Sequence, residues 1–302
     1  MSRKGYLLVS STAIISGFSV FINKFSAQGI NPYIFTWLKN SIVALLLIGI
    51  LLFIKDWKIL KKIHYKQWLL LALVGLIGGA IPFLFFFKGL QLTTAPWGSL
   101  IHKTMFVFVM ILAVVFLKEK ISKNLLIAGS FLFLANILLT KLTAHNFNMG
   151  DILILSAAIF WAVENTLSKY LLKNLPACIV AASRMFFGSL FILGFLAFTS
   201  QLPLVADLNF QQIGWTIVTS VFLFGYVITW YHGLKYMAVS TATVILLSGA
   251  GITTILSFFN GQTIDLKELT GVALTLLGLA YLCGGYCLLN LKKFFKLTEE
   301  PQ

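Results

Sequence analysis

The apolar residues of this chain come in blocks long enough to cross a lipid bilayer, with little between one block and the next. About 20 mainly apolar residues suffice for a helix to span the hydrocarbon layer. Such blocks fall at residues 6–24, 32–54, 67–87, 95–117, 123–140, 150–171, 177–199, 211–231, 239–260 and 267–289. Inside lipid each backbone N–H and C=O must be satisfied within its own segment, so blocks of this length are helices. The gaps are too short for a soluble domain. The longest, Lys55 to Lys66, reads as an amphipathic turn at the interface. Charged residues make up 11% of the chain and hydrophobic ones 59%, whereas a soluble surface needs about 25% charged. Arg3-Lys4 before an apolar run resembles a signal peptide, but the run continues to about Phe25 without a small-x-small cleavage site. It is expected to be the first transmembrane helix.

A net charge of +14 would suit a nucleic-acid partner if it formed a patch. It does not. The basic residues lie in the short gaps, and sorting the gaps alternately gives sixteen on one side, from Arg3 and Lys4 to Lys292, Lys293 and Lys296. The other side has Lys24, Lys88, Lys141 and Lys267. By the positive-inside rule both termini are cytoplasmic in a multi-pass cell-membrane protein, with 291–302 a cytoplasmic tail. Cys178, Cys283 and Cys287 sit in or beside apolar stretches. They read as small core residues, not a disulfide framework or zinc site.

The chain also repeats. A shift of 145 residues places Ser11 on Ser156, Lys24 on Lys169, Lys39 on Arg184 and Gly49 on Gly194. A shift of 144 places Gly89-Leu90 on Gly233-Leu234 and Ile101 on Ile245. Charged residues are scarce in membrane helices, so their coincidence at one register outweighs any number of Leu matches. The expected units are residues 1–145 and 146–290. Five spans is an odd number, so the second unit is inverted relative to the first. The fold class expected is an all-α integral membrane protein of ten transmembrane helices arranged as two inverted five-helix repeats. Such repeats place a binding site near the midplane and exchange two states of similar energy by rocking.

Four segments carry a resemblance: KGLQLTTAPWGSLI at 88–101, LKEKIS at 117–122, WAVENTLSK at 161–169 and HGLKYMAVSTATVI at 232–245. Through them the chain resembles, along nearly its whole length, the ten-helix EamA-type members of the drug/metabolite transporter superfamily. That pattern has an acidic residue after the fourth and ninth helices. Glu119 matches the first, while Gly261-Gln262 stands at the second. The family's frequent Pro within the fourth helix is absent from Ile101–Leu117. The resemblance implies a secondary transporter working by alternating access in the outward direction. Its cargo would be a small polar or amphipathic metabolite such as an amino acid or amine, with proton coupling or exchange as options. The competing readings are a membrane-embedded enzyme acting on a lipid-linked substrate and a channel-like protein. No metal-ligand set, phosphate loop or acidic pair for magnesium-diphosphate speaks for an enzyme. The expected partners are therefore a small-molecule substrate, the bilayer and a coupling proton, with no cofactor, no metal and no nucleic acid.

Glu164 is the one carboxylate deep in a span, where a charge costs on the order of 3 kcal/mol. Trp161, Asn165 and Ser168 share its helix face. Glu164 either anchors a cationic group or carries a coupling proton, with Trp161 as a cation–π wall, or else forms a structural ion pair with Lys103. His102 and Lys103 are candidates for a substrate carboxylate or phosphate; alternatively Lys103 neutralises Glu164 and His102 is a bonded core residue. If Glu164 and Lys103 pair, a zwitterion could exchange partners with both. Lys39 and Arg184, at matching repeat positions, read as paired gates or as ligands of helix-end carbonyls. Lys24 and Lys169 are placed to snorkel. Tyr226 is placed to line a cavity, while Trp230 and Tyr231 suit an interfacial belt. Ser16, Ser19 and Asn23 form a polar stripe on the first helix, for a cavity wall or interhelical bonds. Gly75, Gly79, Ser248, Gly249 and Gly251 suit close helix packing.

Overall fold

The computed structural model describes residues 2–26, 29–55, 57–142 and 144–298, with the backbone alone at 24–26, 283 and 285–298. The expectations for Lys24, Cys283, Cys287, Lys292, Lys293 and Lys296 therefore lie outside the described side chains. Helices run α1 Arg3–Ser26, α2 Pro32–Phe53, α3 Trp57–Leu60, α4 Tyr65–Val74 and α5 Ile81–Leu92. They continue as α6 Ala95–Lys103, α7 Met105–Leu117, α8 Lys123–Leu139, α9 Met149–Leu171 and α10 Ala177–Phe198. The last are α11 Phe210–Tyr236, α12 Val239–Leu246, α13 Gly249–Phe259 and α14 Leu266–Thr298. Every expected span is present: α4–α5 form the third, α6–α7 the fourth and α12–α13 the ninth. Among the described residues eight helices are long and apolar enough to cross a membrane, joined by the shorter Lys123–Leu139. The Lys55–Lys66 gap holds the single turn α3.

Helix starts are written in the polar residues of the gaps. Asn31 accepts from the Tyr33 and Ile34 amides ahead of α2, with Pro32 at the first turn. Asn148 with Asp151, and Asn209 with Gln212, form reciprocal capping boxes for α9 and α11. These satisfy amides that the helix itself leaves unpaired. Asn148 is the cap of α9, and Asp151 reaches back to the Asn148 amide from the third helical position.

The helices associate across the repeats. α11 packs along α1, and at the inverted position α5 packs along α9. α12 and α13 also lean on α1, while α6 and α7 lean on α9. Each repeat thus lends its first span to the other's third and fourth. One bundle is α1 with α11–α13; the other is α9 with α4–α7. α2 pairs with α10 and α8 with α14 beside them.

Three spans are interrupted. The third passes through a π-helical segment, Gly75–Ala80, just before Pro82. The fourth and ninth break at Thr104 and Ser248, which stand 144 residues apart, the register of the repeat. Their backbones match: φ −64°, ψ −12° at Thr104 and φ −67°, ψ −16° at Ser248. Each hydroxyl donates to the carbonyl three residues back, Thr104 to Ile101 at 2.6 Å and Ser248 to Ile245 at 2.7 Å. The fourth span therefore breaks without proline, by a tightened turn with a side-chain bond to the freed carbonyl.

Candidate functional site

Glu164 lies 2% exposed on α9, at the junction with the third, seventh and eighth spans. Ser168 donates to its Oε1 at 2.6 Å from the next turn, and Tyr231 of α11 donates to the same oxygen at 2.6 Å. Its ionic partner is Arg184 of α10, with Nε at 3.8 Å from Oε1. The expected Glu164–Lys103 pair is corrected on this point. Arg184 reaches Glu164 because the third span has no side chain in the way. A methyl group on Gly78 would meet Glu164 Cγ at 2.2 Å and Arg184 Nε at 3.1 Å.

The same stretch of α4–α5 supplies an acceptor. A helical residue at 82 would return its N–H to the Gly78 carbonyl, and Pro82 has none to return. That carbonyl accepts from Arg184 Nη2 at 2.9 Å and from Trp161 Nε1 at 3.0 Å. Arg184 thus fulfils the reading as a ligand of a helix carbonyl, though of one freed in mid-span. Lys39, its repeat counterpart, sits instead over the Phe35 ring at 4.7 Å. Arg184 Nε is buried and has no hydrogen-bond partner among the described residues.

Asn165 extends the cluster. Its amide nitrogen donates to the Trp161 carbonyl at 2.8 Å, and its oxygen accepts from Trp230 Nε1 at 3.0 Å. Tyr226 stacks on Trp230, centroids 6.2 Å apart. Placing Trp230 and Tyr231 in an interfacial belt is therefore corrected: they are 3% and 1% exposed, with both polar atoms committed to the α9 cluster. Buried Trp and Tyr need such partners. The Trp161 ring meets Phe83, Phe86 and His102 edge-on at 5.2, 5.7 and 4.9 Å.

His102 and Lys103 line a separate cavity of about 30 Å³ with Met105, Phe106, Thr243, Leu246 and Leu247. It has room for water rather than a metabolite. The cavity lies between the two helix breaks, and repeat-related residues face each other across it: His102 and Lys103 on one side, Leu246 and Leu247 on the other. Asn23 donates to Ser19 along α1 at 3.5 Å. Ser16 faces Gly249 of α13, in the helix-packing role. Among the described residues no group of three His, Cys, Asp or Glu side chains could hold a metal ion.

Arg184 and Tyr231 are the members of the cluster that the sequence reading did not pair with Glu164. Proline at 82, four residues past Gly78 within an apolar span, was the available signal. It marks a carbonyl that some donor must reach.

The profile of the EamA-like transporter family matches residues 3–141 and again 148–283. An uncharacterized transporter of Archaeoglobus fulgidus is 24% identical over 281 residues, spanning 91% of this chain and 97% of its own. The uncharacterized transporter YyaM of Bacillus subtilis is 22% identical over 286 residues, 90% of this chain and 91% of its own. A solved crystal structure superposes with a TM-score of 0.77, covering 93% of this chain and 96% of the other at 17% identity, a likeness of fold alone.

Proposed function

The chain belongs to the EamA-like transporter family of the drug/metabolite transporter superfamily, and from this we propose that it carries a small zwitterion or amine outward across the cell membrane by alternating access. The observation that supports the reading is the buried Glu164–Arg184 pair with its unpartnered Arg184 Nε. At 3.8 Å the pair is too long for a hydrogen bond. An amino acid entering here meets a carboxylate for its ammonium and a guanidinium for its carboxylate, and Arg184 Nε gains the hydrogen-bond partner it lacks. Trp161 and Tyr226 supply apolar faces beside them. Lys103 and His102, the latter with its ring against Trp161, line the water-sized cavity and act on charge balance rather than as the first contact.

The two repeats, 1–145 and 146–290, are the units whose exchange of state moves the site from one face to the other. Both termini lie in the cytoplasm, as the loop charges favour; accessibility of single cysteines placed in alternate loops checks this.

The test is thermal stabilisation of the purified protein against amino acids and amines. A ligand that binds the folded state alone raises the melting temperature by mass action. An amino acid should stabilise the wild type and lose its effect in Glu164→Gln and Arg184→Lys. A compound that stabilises all three proteins equally would place the pocket elsewhere and end the reading.

A further inference from the structure

The fourth and sixth spans meet the corner between the eighth and ninth at the end of the molecule where α1 begins. This corner, residues 236–239, joins the C-terminus of α11 to the N-terminus of α12. Two charged side chains from the opposite bundle hold it. Lys169, in the last turn of α9, donates from Nζ to the carbonyls of Leu234 at 2.5 Å and Met237 at 2.8 Å. Glu119, just past α7, accepts from the amides of Val239 at 2.9 Å and Ser240 at 3.2 Å, and from the Ser240 hydroxyl at 2.6 Å. A cation therefore sits on the negative end of one helix dipole and an anion on the positive end of the next. Snorkelling toward water, the expectation for Lys169, is corrected: the ammonium is spent on backbone carbonyls inside the protein.

Glu119 is delivered by a fixed turn. Lys118 takes the left-handed conformation at φ 56°, and the Glu119 amide returns to the Ala113 carbonyl at 3.0 Å. A non-glycine residue holds that conformation at some cost, which the surrounding structure must offset. Past this end and the Glu164 cluster, where Trp230 and Tyr231 of α11 bond to α9, the two bundles part company. α7 packs against α12, but no packing of comparable extent joins α6 to α13 beyond the breaks at Thr104 and Ser248 among the described residues. At the N-terminus of α6, the position equivalent to that of α12, the cap residue Thr94 makes no side-chain bond to the helix.

We propose that Glu119 and Lys169 are positioning residues for transport: together they clamp the α11–α12 corner and hold the α1 end of the molecule shut, and their release lets that end open. The inference rests on the alternating-access reading and concerns residues remote from the Glu164 cluster. Its contacts run from side chains of one bundle to backbone of the other. They can therefore break without either bundle losing an internal bond.

The experiment is a pair of distance measurements by pulsed electron paramagnetic resonance on the full chain in lipid. Cys178, Cys283 and Cys287 are first replaced, and spin labels are placed on the exposed positions Lys120 and Lys235 at the clamped end. A second pair goes on exposed Gln91 and Gln262 at the other end. Glu119→Gln and Lys169→Met should each shift the population toward longer 120–235 and shorter 91–262 distances by roughly tenfold, the scale of one or two lost charge-assisted bonds. Glu119→Asp, which keeps the charge, should recover most of the wild-type distribution. Unchanged distributions at both ends in folded Glu119→Gln and Lys169→Met would overturn the proposal. Should Glu119→Gln fail to fold, Ser240→Ala removes one bond only, and it must then show the same shift at smaller amplitude or the clamp is refuted. The clamp variants should keep their ligand-induced stabilisation, whereas Glu164→Gln should lose it with no change in the 120–235 distance. Failure of the clamp and failure of the binding site thus give different patterns.

Discussion

The corner at residues 92–95 and the corner at 236–239 are the same piece of backbone used twice, and they are held by different chemistry. In each, the first helix of the other repeat packs a glycine onto the turn. A methyl on Gly150 would lie 2.9 Å from Leu92 Cβ and the Thr93 amide, and one on Gly5 would lie 3.1 Å from Met237 Cβ. Gly5 and Gly150 are 145 residues apart, the repeat register again. The difference is in the polar contacts. At the first corner Asp151, fully buried, accepts from Thr93 at 2.7 Å and pairs with His145 at 2.7 Å, while the His145 ring stacks on Trp97. All of these bind α9 or its leading loop to the spans it already packs along. At the second corner Glu119 and Lys169 reach from one bundle to the other. On the clamp proposal, an inverted repeat duplicates its backbone joints while using one for cohesion and the other for closure.

The largest effect expected from breaking this comparison is at Asp151. Asp151→Ala strands the Thr93 hydroxyl, the Asn148 amide and the His145 ring in a partly buried site, and should cost about 3 kcal/mol of stability. The melting temperature in detergent reads it. Because the lost contacts lie within one bundle, the 120–235 and 91–262 distances should stay as in the wild type. A shift in those distances would mean that the first corner also takes part in closure.

Next comes the pair of glycines, which should rank as their distances do. Gly150→Ala puts a methyl 2.7 Å from the Gly89 carbonyl, backbone that cannot swing aside, and should cost about 2 kcal/mol. Gly5→Ala meets nothing nearer than 3.1 Å and should cost under about 1 kcal/mol. Equal losses of melting temperature would show that the two corners are packed alike and that the distinction drawn from their distances is false.

Glu119→Gln should weigh on transport where Asp151→Ala weighs on stability. Its carboxylate is partly exposed, so water replaces some of what is lost, and the stability cost should be about 1 kcal/mol. Uptake or efflux by the reconstituted protein should fall about tenfold nonetheless, since the equilibrium between the two open ends is displaced. A variant that loses melting temperature and transport in proportion would place Glu119 with Asp151, as a structural residue.

The contrast also explains what could be read from the sequence. The spans were legible because lipid permits so few backbone solutions that length and apolarity alone locate a helix. The face of α9 was legible too: Trp161, Asn165 and Ser168 follow from helical spacing, and all three bond within the Glu164 cluster or beside it. Partners across helices were not. Nothing in the spacing of Lys103 or Arg184 says which of them reaches Glu164, since that depends on Gly78 leaving room and on Pro82 freeing a carbonyl. Tyr231 was assigned to an interface because it stands near a span's end by hydropathy. α11 in fact continues to Tyr236, so that residue lies deeper than the apolar block suggests. Lys169 illustrates the same limit: a basic residue near a helix end usually snorkels, and only the neighbouring chain shows that its ammonium has backbone carbonyls to bind instead.

The smallest predicted effect is also the one that separates charge from hydroxyl on the Glu119 side of the clamp. Ser240 gives Glu119 two of its three bonds, one through the amide and one through the hydroxyl. Ser240→Ala removes the hydroxyl and leaves the amide in place, so the anion stays on the α12 N-terminus and keeps its interaction with the helix dipole. The loss should be about 0.5–1 kcal/mol, a shift of two- to fivefold in the 120–235 population and little change in melting temperature. Ser240→Thr, which restores a hydroxyl, should return the population most of the way. If Ser240→Ala matched Glu119→Gln in amplitude, the hydroxyl rather than the charge on the helix end would hold the corner, and the dipole argument for Glu119 would have to be given up.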